Sequence, residues 1–289
     1  MSRINTLFRL IPDCVRQYLP CHYKDILILD FPVESLIFRE PKTESVRFFD
    51  TIRNPENIVV LNGDIIVSGH VGAIVQTESG FMNYKAIPKI LIRNMCLVDD
   101  KILTLPQGYN MYLNDKKLDL EYKWIEVRCV CSIPNGFVTV STAPVDVDFD
   151  QRLPGMIMFY RDEKYDDMVL TLHTWNAITW VGENEIAFAA SRVTYGIAEI
   201  YLLSIDGIVL QTLTKIIPND TLMGISVLYD SRWEEYIISG ANIIIALSSR
   251  GSRTIFSNKE KLDYILGLCW NDTKLLACLT NKNQLIELS

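Results

Sequence analysis

The strongest constraint on this chain is a short design that it keeps repeating. NIVVLNGDIIVSGH (57–70), NMCLVDDKILTLPQ (94–107), AITWVGENEIAFAAS (177–191) and GLCWNDTKLLACLT (267–280) share one outline: an apolar run, two to four residues drawn from Asn, Asp, Gly, Glu and Lys, and a second apolar run. Each reads as a β-hairpin. A single hairpin cannot bury its own apolar residues, so a series of them must stack on one another to form a core.

Period-two alternation and β-branched enrichment mark strand after strand, among them DILILDF, KILTLP, GFVTVST, MIMFYR, EIYLLSI, NIIIALS and KLLACL. Helical character is confined to one stretch around residues 11–18, where IPDCVRQYL also admits a strand. When the opening hairpin is taken as the first two strands of a four-stranded unit, the remaining two follow in each copy. The clearest unit runs over 177–214, with Asp206-Gly207 as the hairpin turn between its third and fourth strands. Others run over 224–257, turning at Gly251, over 57–87, turning at Gly80, and over 90–122 and 125–172. Cutting the N-terminal region as VRQYLPCHYK, DILILDF, ESLIFREPK and SVRFFDTI gives a further unit.

First strands then begin near residues 15, 58, 90, 125, 177, 224 and 264, about 41 residues apart. The last unit has three strands, and RINTLFRLI at the N-terminus is left over to complete it. This predicts an all-β fold: one seven-bladed β-propeller over residues 1–289, the last blade closed by an N-terminal strand and the first strand of each blade nearest the axis. Six blades is the alternative if residues 1–50 do something else. The rhythm resembles that of WD40-type repeats, most closely in LCWNDTKLLACLTNKNQLIEL near the C-terminus, with its Trp270 and Asn-Asp-Thr-Lys turn. The signature departs from that family: Gly69-His70 follows a second strand instead of opening a repeat, and no Trp-Asp pair closes a third strand. The resemblance implies a rigid platform for protein partners within a larger assembly.

Composition narrows the function classes. A net charge of −7 and the lack of any Lys/Arg run give no electrostatic footprint for nucleic acid or an anionic membrane. No apolar stretch approaches 18 residues, and the N-terminus has no long apolar segment of the secretory kind. Seven cysteines without a CxxC or Cys/His cluster point to a reducing, intracellular setting. Cys129 and Cys131, two apart on one strand, are expected in the core on the same side as Val127. No GxSxG, P-loop or GxGxxG follows a strand. His22, His70 and His173 are the chain's three histidines. His173, beside Trp175, reads as structural, and His70 ends a second strand where it can face the central mouth. No catalytic role and no cofactor is expected.

The most unusual segment is STAPVDVDFDQRLPG (141–155), between a second and a third strand. Its Asp146, Asp148 and Asp150 resemble the start of a calcium loop, but Gln151-Arg152 stands where the Gly is needed, and no Glu closes it. A solvated or partner-binding loop is the expectation. The equivalent loop of the next unit carries Arg192 and Tyr195. Such loops leave a propeller on the same face, so Asp146, Asp148, Phe149, Asp150, Arg152, Arg192 and Tyr195 form a candidate docking patch. The main functional expectation is a non-catalytic scaffold that binds proteins. A structural subunit of a large particle, such as a virion or ribonucleoprotein, is the alternative, and a propeller hydrolase is a third.

Overall fold

The computed structural model describes residues 27–30, 43–48, 54–70, 72–77, 80–84, 91–106, 110–118, 126–142, 155–161, 164–171, 175–182, 185–192, 197–204, 209–216, 226–240, 243–257 and 264–288. Among the described residues two strands precede the repeats, β1 (Leu27–Asp30) and β2 (Thr43–Phe48). The first repeat is β3 (Asn57–Leu61), β4 (Asp64–Gly69), β5 (Gly72–Thr77) and β6 (Gly80–Asn83). The second is β7 (Ile92–Val98), β8 (Lys101–Pro106), β9 (Tyr112–Leu113) and β10 (Lys116–Lys117). The third is β11 (Glu126–Ile133), β12 (Gly136–Thr142), β13 (Gly155–Arg161) and β14 (Lys164–Thr171). The fourth is β15 (Trp175–Gly182), β16 (Glu185–Arg192), β17 (Ile197–Ser204) and β18 (Val209–Ile216). The fifth is β19 (Ser226–Asp230), β20 (Glu235–Ser239), β21 (Ile243–Ser248) and β22 (Gly251–Ser257). The last is β23 (Ile265–Asn271), β24 (Lys274–Leu279) and β25 (Gln284–Leu288).

Each repeat is an antiparallel sheet in chain order, and the fold is an all-β propeller. Among the described residues five sheets have four strands; the remaining one, β15–β18, gains β1 as a fifth strand along its outer edge. The inner hairpin turns explain their polar composition. Asn62, Asp99, Asn135 and Asp272 all adopt left-handed φ values, between 54° and 62°. Asn and Asp tolerate that region better than other residues with a Cβ. At Gly136, which follows Asn135, a Cβ would collide with the Tyr160 carbonyl oxygen, so this position requires glycine.

The core lies between sheets, and its clusters close the ring. Val59 and Ile66 of the first sheet meet Ile92, Met95 and Ile102 of the second. Leu103 and Leu105 meet Val127 and Phe137 of the third. Val138, Val140 and Phe159 then meet Ile178 and Ile186 of the fourth. Ala187 and Leu202 meet Val227 and Ile238 of the fifth. Ile237 and Ile244 meet Leu268 and Leu275 of the last. Finally Leu276 and Cys278 meet Ile58, Ile65 and Val67 of the first. Second strands are covered on both faces, so β4, β8 and β24 are buried over five successive residues instead of alternating.

Three sequence expectations are corrected here. Among the described residues seven units do not form, because β1 and β2 belong to sheets made by later parts of the chain. DILILDF, expected as a second strand, contributes β1, which runs parallel to β18 with Leu27 opposite Gln211. The closing strand is β2, expected as a fourth strand of its own unit. It pairs antiparallel with β25, Val46 opposite Ile286. Only residues 49–56 separate β2 from β3, so the chain passes directly from closing the last sheet to starting the first. RINTLFRLI lies outside the described residues. Third, a bulge between Val127 and Cys129 breaks the alternation of β11. Val127 therefore packs toward the second sheet, while Cys129 and Cys131 pack toward the fourth.

Candidate functional site

The first strands β3, β7, β11, β15, β19 and β23 surround a central channel of about 450 Å³. Four of them, β7, β11, β15 and β23, carry a bulge near their start, at Ile92/Asn94, Val127/Cys129, Trp175/Ala177 and Ile265/Gly267. Bulges bend a strand and raise its twist, which suits strands converging on an axis. The channel divides the molecule into two faces. Second-to-third-strand loops open on the loop face; the tight turns of the inner hairpins project from the turn face.

On the loop face, polar side chains tie neighbouring sheets together. Asn57 Nδ2 donates to the Arg93 carbonyl at 2.9 Å. Ser239 Oγ donates to the Ile265 carbonyl at 2.5 Å, and Ile265 N–H donates to the Gly240 carbonyl. Ring closure is fastened twice: Thr280 Oγ1 donates to the Pro55 carbonyl at 2.7 Å, and Asn54 N–H donates to Asn283 Oδ1 at 2.9 Å. Beside these bonds His70 Nε2 lies 3.3 Å from Glu56 Oε1. Burial pushes the Glu56 carboxyl up, and the His70 and Arg93 charges pull it back in part. His70 thus has a carboxylate neighbour that sequence reading did not identify; Glu56 precedes a different strand.

The expected docking patch falls mostly outside the described residues, as do His22 and His173. Asp146, Asp148, Phe149, Asp150, Arg152 and Tyr195 are among those not described; Arg192 ends β16, its backbone paired with Ile197. The paired ends of β12 and β13 and of β16 and β17 lie on the loop face, the same face as His70. The channel's thiols are not poised for chemistry. Burial pushes Cys131 up to about 12 and Cys269 up to about 11, and it also raises Cys96. Among the described residues no group of three or more His, Cys, Asp or Glu is placed to hold a metal ion, and no helix is long and apolar enough to cross a membrane.

The turn face is different. Among the described residues the exposed large apolar side chains are Met82, Trp180 and Trp233. Trp180 stands near the end of β15, and Trp233 lies in the β19–β20 turn at 59% exposure. On the next sheet, Trp270 lines the channel. Arg232 grips Asp230 in a bidentate pair, with contacts of 2.8 and 2.9 Å. Its guanidinium lies 4.3 Å from the Trp270 ring centre. The Trp270 indole N–H is shielded from solvent and has no hydrogen-bond partner. Arg250 donates to the Trp233 carbonyl at 3.0 Å, which helps fix the turn. The Tyr229 phenol is raised by burial first, then by the charges of Glu234, Glu185 and Asp230. Sequence reading missed this group. Its signal was the tryptophan at or beyond the end of three successive first strands, in AITW, DSRW and LCW.

No protein-family model matches the chain, and neither does any curated protein sequence. Solved structures do match in fold. Virginiamycin B lyase from Staphylococcus aureus aligns at 11% identity and TM-score 0.57, covering 85% of this chain and 99% of that one. BBS1N, solved in complex with ARL6DN, aligns at 10% identity and TM-score 0.54, covering 82% and 78%. YCF48, solved bound to D1 peptide, aligns at 7% identity and TM-score 0.55, covering 88% and 97%. At these identities the likeness establishes the propeller fold alone. It includes an enzyme and proteins bound to partners, and so does not assign a function.

Proposed function

We propose that the chain is a non-catalytic propeller scaffold, one domain acting inside the cell and binding protein partners within a larger assembly. The observation that carries this reading is the exposure of Trp180 and Trp233 on the face that also carries the Arg232–Trp270 stack. Large aromatic side chains and arginine dominate interface energetics, and exposing them to water has a cost that a covering partner removes. Propellers of this fold are seen with protein or peptide partners, as in the BBS1N and YCF48 structures, which supports the reading by analogy. Asp146, Asp148, Phe149, Asp150, Arg152, Arg192 and Tyr195 are proposed as a second docking surface. Permanent incorporation into a large particle is the same reading at fixed stoichiometry. The test is co-purification of the tagged chain from its source, with and without Trp180→Ala/Trp233→Ala. Loss of a stoichiometric partner set at unchanged thermal stability supports the reading; an unaltered set overturns the role of this face.

A second reading, an acid–base enzyme, draws on the Glu56–His70 pair near the channel. Turnover of a substrate that disappears in both Glu56→Gln and His70→Ala, with the fold intact, would favour it.

A further inference from the structure

The tryptophans of the turn face stand in an acidic sector. Glu185, Glu234 and Asp272 sit on the turns of three adjacent sheets and make no ion pair among the described residues. The other acids there are already matched: Asp230 holds Arg232, and Glu235 holds Arg253 at 2.7 Å. Arg250 is the one arginine of these turns without an ion pair among the described residues. Among the described residues these turns therefore carry three carboxylates and one cation without an ion pair, together with two exposed indoles. An acidic partner would meet repulsion here, and a purely apolar one would leave the carboxylates partly desolvated without a counter-charge. A segment carrying lysine or arginine next to apolar residues answers both features, because cations also lie favourably over indole faces.

We infer that the turn-face sector around Trp180 and Trp233 docks a basic, partly apolar segment of a protein partner. This rests on reading the sector as a docking surface and adds the chemistry of what it takes. The test uses the full chain with indole nitrogens labelled for NMR, titrated with three acetylated, amidated decapeptides. Each peptide has two phenylalanines, combined with four lysines, four glutamates or four serines. The lysine peptide is expected to shift the Trp180 and Trp233 indole signals saturably, less so at high salt. The triple variant Glu185→Gln/Glu234→Gln/Asp272→Asn should weaken it by about tenfold, the sum of three partly exposed charge contacts. Trp180→Ala/Trp233→Ala should abolish the response. Equal binding of the glutamate or serine peptide at these indoles overturns the basic character and leaves the docking surface standing. Shifts that appear with rising protein concentration alone identify a second copy as the occupant and also overturn it. Failure of all three peptides overturns the inference; co-purification, which uses no peptide, judges the scaffold reading separately.

Discussion

The two faces of this propeller are made by the same hairpins, yet their side chains go to different uses. On the loop face, Asn57, Ser239 and Thr280 each reach across to a carbonyl outside their own strand, so polarity there holds the ring closed. On the turn face, the hairpins are fixed by local backbone geometry at Asn62, Asp99, Asn135 and Asp272. Their side chains are then left to the surface, where Trp180 and Trp233 are exposed. The comparison teaches that polar side chains at the loop end are used up in holding the ring closed while large apolar ones at the turn end are left in water, Gly136 being the exception, a turn-face position where packing leaves no room for a Cβ.

That exception gives the largest expected effect. Gly136→Ala puts a methyl group onto the Tyr160 carbonyl, so the strands of the third sheet must shift. A loss of about 3 kcal/mol in denaturant unfolding is expected, at the upper end for overpacking. An unchanged midpoint would mean that this turn is as permissive as its neighbours.

Next come the fastenings of the loop face. Ser239→Ala and Thr280→Ala each leave a buried carbonyl without its donor, and each should lower stability by about 1–2 kcal/mol. Trp233→Ala, on the exposed turn, should change stability by less than about 0.5 kcal/mol. If the order is reversed, the division of labour between faces fails.

The smallest expected effect sharpens the loop-face side of the comparison. Burial holds the Glu56 carboxyl above its usual value of 4.5, with His70 and Arg93 only partly offsetting it. The folded chain therefore keeps that proton to higher pH than the unfolded chain does. Stability from this group is present below 4.5 and declines as pH rises through the raised value. Glu56→Gln should flatten that part of the stability–pH curve, and an unchanged slope would assign it to another group.

Most of the ring was legible in the sequence, because each unit between residues 57 and 288 carries its own turn chemistry and apolar runs. The segments that form β1 and β2 were misassigned for a physical reason. Nothing local in LILD (β1) or TESVRF (β2) says which sheet it joins, and what decides their place is pairing with β18 and β25, more than 180 residues away. Bulges were equally hidden, since no residue type marks the step between Val127 and Cys129, yet that step sends the cysteines to the other side. Glu56 could not be joined to His70 by spacing, because they meet through the turn of a hairpin and its preceding loop. The tryptophans were visible as letters; their exposure depends on which end of each first strand faces water.

The central claim is that partners occupy the turn face. Oxidative footprinting of the chain, alone and in the assembly purified from its source, tests it most directly by comparing the two exposed indoles. The account predicts that Trp180 and Trp233 are oxidised readily in the isolated chain and protected in the assembly. Equal oxidation in both states would contradict it.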